Sequence, residues 1–131
     1  METTAVFKSN LFKPFLPEDS QVNPQVYGAE LAYWLSQNLA KKGIFTSYPE
    51  YEDWGWFIEL IVDDNEYWVC CGNIEGESDQ WTCFLKRLSK GFFNKNNAPI
   101  EPAIPLLQAL RSLLQETEAI SNIEWSFDND S

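Results

Sequence analysis

Trp56-Phe57-Ile58-Glu59-Leu60-Ile61-Val62, Asp63-Asp64-Asn65-Glu66 and Tyr67-Trp68-Val69-Cys70-Cys71 follow one another without a gap. The outer two runs are rich in β-branched and aromatic side chains, which pack well on a pleated, half-buried surface. The polar tetrapeptide between them is short and offers Asp and Asn, so the stretch reads as two antiparallel strands joined by a tight turn. Another such run, Trp81-Thr82-Cys83-Phe84-Leu85, follows the acidic loop Glu75-Gly76-Glu77-Ser78-Asp79. Upstream, Ile44-Phe45-Thr46-Ser47-Tyr48 has the same character and stops at Pro49. Three or four successive strands with short connections predict an antiparallel meander.

Helices flank the meander. Asn23-Pro24 offers a side-chain cap followed by a residue suited to the first helical position. From Tyr27, Leu31, Trp34, Leu35 and Leu39 then recur at three and four residues, one stripe of a 3.6-residue period. Lys41 and Lys42 complement the negative end of the helix, and Gly43 can take the left-handed conformation that closes it. A second helix is expected to start near Pro102 or Pro105, with Ile104, Leu107, Leu110 and Leu114 as its stripe. Residues 89–99, with three asparagines, Gly91 and Pro99, read as a long loop. Ala5-Val6-Phe7-Lys8 and Ile123-Glu124-Trp125-Ser126-Phe127 are expected to add outer strands, and 128–131 to fray.

The predicted order is β-α-β-β-β-β-α-β. The expected fold is α+β, a two-layer sandwich of a mostly antiparallel sheet with two amphipathic helices on one face. At 131 residues the chain has the common size of one domain, spanning 1–131, and can bury a core without disulfides or a metal. Apolar residues at 44% and aromatics at 15% carry enough hydrophobic surface for folding, despite a net charge of -11.

Composition excludes more chemistry than it offers. There is no histidine, so Ser-His-Asp and Cys-His catalysis and histidine metal ligation are out. Six scattered glycines form neither GxGxxG nor GxxxxGK[ST], so no phosphate cradle is visible. Cys70 and Cys71 point to opposite faces of a strand and cannot clamp a metal as a CxxC pair does. Cys83 falls on the neighbouring run. Small buried core residues are the simplest reading of all three thiols. Asp63 and Asp64 sit where a hairpin turn wants them, and EF-hand spacing is absent. No cofactor and no metal are expected. The first residues carry no basic, apolar leader and no stretch is long enough to span a bilayer, so a cytoplasmic location with reduced thiols is the expectation. Twenty acids against nine bases disfavour nucleic acid and anionic membranes as partners, and suit a basic protein.

One segment concentrates both charge and aromatic surface. Residues 50–79 hold ten of the twenty acids and no lysine or arginine. Its densest part is Tyr48-Pro49-Glu50-Tyr51-Glu52-Asp53-Trp54-Gly55-Trp56. Proline and glycine bracket a loop in which Tyr48, Glu50, Tyr51, Glu52, Asp53 and Trp54 can grip a basic side chain by ion pairing and cation–π contact. The competing reading is a solvated rim over core aromatics. In size and charge the chain is similar to small acidic bacterial inhibitor or immunity proteins that neutralise basic enzymes, a likeness of bulk profile rather than motif.

The expected function is therefore protein–protein interaction, with no catalytic residues assigned. A second reading makes Glu59 the acid/base of a small-ligand site or enzyme, with Trp56 and Trp68 lining its pocket, because burial mid-strand raises a carboxyl pKa. A third makes the chain a subunit of an oligomer that buries its exposed tryptophans against copies of itself.

Overall fold

Asp63 and Asp64 both have positive φ, 52° and 64°, as the type I′ two-residue hairpin turn requires. They join β3 (Gly55–Val62) to β4 (Asn65–Asn73), which pair from Val62↔Asn65 to Trp56↔Cys71. The computed structural model describes residues 2–14, 17, 25–89 and 97–127. Around the hairpin lie β2 (Glu50–Glu52) and β5 (Gln80–Arg87), completing the meander. β1 (Thr4–Ser9) then pairs with β5 on one side and with β6 (Ile120–Ser126) on the other. All six strands are antiparallel, in the order β2-β3-β4-β5-β1-β6.

Helix α1 (Ala29–Lys41) and helix α2 (Ile104–Glu116) pack on one face of this sheet. The result is the expected two-layer α+β sandwich. On the helix side, Ala5, Phe7, Ile58, Tyr67, Val69, Cys71, Trp81, Cys83 and Leu85 meet Leu31, Leu35 and Leu39 of α1 and Leu107, Leu110 and Leu114 of α2. Strands β1, β3, β4 and β5 contribute every second residue, as the pleat dictates.

The C-terminus of α1 is a Schellman motif. The Ile44 amide donates to the Leu39 carbonyl at 2.9 Å and the Gly43 amide to Ala40 at 3.0 Å, with Gly43 at φ 85°. The sequence signal at Gly43 is thus met by the bond pattern it implies.

The other end departs from expectation. Asn23-Pro24 lies outside the described residues, and α1 begins only at Ala29, with Gly28 at its cap. Its start is set by a distant residue instead. Asn73 Oδ1 accepts from the Tyr27 amide at 3.0 Å, while Asn73 Nδ2 donates to the carbonyls of Gln25 and Glu77. This tertiary clamp holds the segment that leads into the helix.

The strand expected at 44–48 is also displaced. Ile44 is consumed in closing α1, and Pro49 brings no donor. Ser47 alone docks on β3, its amide donating to the Glu59 carbonyl and its Oγ accepting from the Glu59 amide, both at 2.9 Å. The edge strand forms just beyond, at Glu50–Glu52. The second helix begins as expected around its prolines, with a 3₁₀ turn at Glu101–Ala103 leading into α2.

The sheet's two edges differ. β2 is three residues long with an acid at each end. β6 carries one extra residue against β1, where Asn122 takes φ 55°. Short charged edges and bulges are both devices that discourage further strand addition. No helix among the described residues is long and apolar enough to cross a membrane.

Candidate functional site

The sheet face opposite the helices is built in rows that the strand register fixes. One row runs Glu59, Trp68, Lys86 across β3, β4 and β5. The Trp68 indole N–H donates to Glu59 Oε2 at 3.2 Å, and Lys86 Nζ sits 5.1 Å from the Trp68 ring centroid. The next row runs Glu50, Phe57, Cys70, Phe84. Phe57 stacks on Trp68 with ring centroids 3.8 Å apart. Trp54, in the turn between β2 and β3, folds back over this face to meet Phe84 at 6.0 Å.

That return makes a second small apolar layer on a face the helices do not cover. Cys70 is fully buried in it, and its thiol is pushed up to about 12, first by burial and then by the adjacent Cys71. Lys86 pulls it down and Glu52 pushes it up, both to a smaller extent. Cys71, on the opposite face, lies across from Cys83 in the register. Burial, and then the Cys83 thiol beside it, push Cys71 well above the usual range. All three thiols are free and buried, and the two raised ones, Cys70 and Cys71, are neutral packing groups in these surroundings. Among the described residues no group of three or more Cys, Asp or Glu side chains is placed to hold a metal ion.

The residues singled out in the sequence fall into two sets. Glu50, Tyr51 and Glu52 form β2, with Tyr48 before it and Asp53 and Trp54 in the turn after it, so all six lie along one edge of the sheet. Register puts Glu50 on the open face beside Phe57, and Tyr51 on the helix side, in edge-on contact with Trp56 at 5.8 Å. The aromatics here are strongly exposed, with Tyr48 at 84%, Tyr51 at 61% and Trp54 at 42%. Phe45, read in the sequence as part of a strand, joins them at 73%. It shares with Tyr48 a shallow recess of about 240 Å³ against Ser36, Gln37 and Ala40 of α1.

Trp56, Glu59 and Trp68 do not come together as one pocket. Trp56 packs toward the helices, while Glu59 and Trp68 share the opposite face. Alternation along β3 separates residues 56 and 59, and could have been read in advance.

The ion pairs among the described residues are Lys8–Asp79, Lys42–Glu116 and Arg111–Glu2. Neither Glu50 nor Glu52 belongs to one. No family model, curated protein or solved structure matches this chain.

Proposed function

We propose that this chain is a protein-interaction module, in which β2 and its flanks receive a basic partner protein. One observation carries the reading. Of the eight large hydrophobic side chains strongly exposed among the described residues, four (Phe45, Tyr48, Tyr51 and Trp54) fall within 45–54, beside Glu50 and Glu52. Aromatic anchors with a charged surround are the make-up of binding hot spots. The acids steer a cationic surface in, and the aromatic faces take up its lysine and arginine side chains.

The competing explanation is that Glu50 and Glu52 merely blunt an edge strand. Blunting needs short length and charge. It gives no account of four exposed aromatics at the same edge, which increase the hazard that blunting removes. A basic enzyme held in check by this edge is the partner type that the charge profile best fits.

The test is affinity capture from lysate of the source cells at low salt, on immobilised native chain and on the Glu50→Lys, Glu52→Lys, Asp53→Lys variant. The expected result is one basic protein retained near stoichiometry by the native chain, released by a salt gradient and missing from the variant. Identical retention on both surfaces would place the binding face elsewhere.

A further inference from the structure

Trp54, Cys70, Phe84, Leu85, Lys86, Arg87 and Asn97 line a cavity of about 480 Å³ beside the open face of the sheet. That volume is within the range of small-molecule sites, roughly 300–1,000 Å³. From this cavity we propose a binding site for a small anionic aromatic compound, an aryl carboxylate or sulfonate with one or two rings. It goes beyond the partner reading and shares only Trp54 with it.

The lining argues for both halves of such a ligand. The tilted pair Trp54 and Phe84, 6.0 Å apart, offers an aromatic wall suited to a planar ring. The fully buried Cys70 thiol backs this wall from beneath as a neutral, polarizable group, with no accessible surface of its own. Among the described residues of the lining the charged ones are Lys86 and Arg87, two of only nine cations in a chain of twenty acids.

Of these two, Lys86 is the free one. The Arg87 guanidinium is already engaged, Nη1 donating to the Ala98 carbonyl at 3.1 Å. Lys86 makes no ion pair among the described residues, and its ammonium rests over Trp68. A carboxylate or sulfonate would give it the charge-assisted partner it lacks. The carboxylate next along its row, Glu59, accepts a hydrogen bond from Trp68. Glu52 also reaches this lining, but at the Cys70 thiol its push is smaller than the opposing pull of Lys86, so the stronger of the two charges there is the cation.

The test uses the full chain, nitrogen-15 labelled, titrated with 2-naphthoate, neutral 2-naphthamide and cationic 2-naphthylmethylamine, with amide and indole resonances followed. The expected result is saturable binding of naphthoate that moves the Trp54 indole and Phe84 amide signals, with the amine leaving them in place. Lys86→Gln, a change at an exposed side chain, should weaken naphthoate by about tenfold, the loss of one charge-assisted bond. It leaves β2 and its flanks untouched, so this proposal and the partner proposal can fail separately. Three outcomes overturn the ligand assignment: no shift at millimolar naphthoate, equal shifts from all three compounds, or unchanged affinity in the Lys86→Gln chain.

Discussion

Gly28 stands directly against the carbonyl oxygen of Cys71: a methyl group added at Gly28 would lie 2.7 Å from that oxygen. The first turn of α1 therefore rests on the backbone of the central hairpin, which is what aligns the helix with the sheet. Gly55 approaches the same oxygen, with a Cβ position 2.5 Å away.

Gly28→Ala is expected to cost roughly 1–3 kcal/mol from its φ of 149° alone, with the clash adding to it. Gly43 provides the comparison. It also has positive φ, but a side chain there would meet nothing within 4 Å, so Gly43→Ala should cost about 1–2 kcal/mol. Urea denaturation of both variants reads the difference. Equal losses would mean that backbone conformation, not the contact with Cys71, sets the cost at Gly28.

The β3–β4 turn holds two aspartates at positive φ, where each pays a steric penalty that glycine avoids. Asp-Gly is among the preferred pairs for this turn. Asp64→Gly should stabilise the chain by about 0.5–1 kcal/mol, a rise in Tm of about 2–4 °C for a chain of this size. A fall in Tm would show that the Asp64 side chain contributes more than its backbone strain takes away.

Much of the fold was legible because local signals and tertiary packing agreed. The alternation from Trp56 to Cys71, the turn at Asp63-Asp64 and the closing Gly43 each specify a backbone conformation by themselves. The start of α1 was not legible, since it is held by Asn73, 46 residues away from Tyr27, and no local pattern announces that bond. The strand expected at 44–48 failed for a related reason, its first residue being taken by the helix terminus. At the candidate site, the aromatic and acidic cluster of 48–54 was visible as composition. The placement of Trp54 on Phe84 depends on the return of a turn over the sheet, which sequence does not encode locally. Lys86 was within reach, because alternation from Trp81 places Phe84 and Lys86 on the face opposite Cys83 and Leu85.

Tyr67 ties the segment after residue 97 to the sheet. Its ring is buried on the helix side, and its hydroxyl donates to the Pro99 carbonyl. Tyr67→Phe leaves that acceptor without its donor and should cost about 1–2 kcal/mol. The local signature is faster hydrogen exchange at the Ala98 amide, which donates to the Leu88 carbonyl at 3.0 Å. A global loss without change at Ala98 would mean that the bond stabilises β4 and not the segment.

The buried thiols give the chain an alkaline weakness with a definite sign. An unfolded cysteine ionises near 8.5, while Cys70 in the fold is pushed up to about 12 by burial. Between those values the folded chain keeps a proton that the unfolded chain releases, so stability decreases as pH rises. The contribution is fully present below the unfolded value and is lost on the way to the folded one, at up to about 1.4 kcal/mol per pH unit for each thiol. Cys71, raised in the same direction, adds to the slope. Urea midpoints from pH 8 to 11 should fall steadily in the native chain and less steeply in Cys70→Ala. Tyrosines and lysines also titrate there, but they are common to both chains, so the difference in slope isolates Cys70. Ellman's reagent should label the thiols at pH 8 only at the rate of opening or unfolding. Parallel slopes together with immediate labelling would mean that Cys70 meets solvent, and that Trp54 and Phe84 do not roof it.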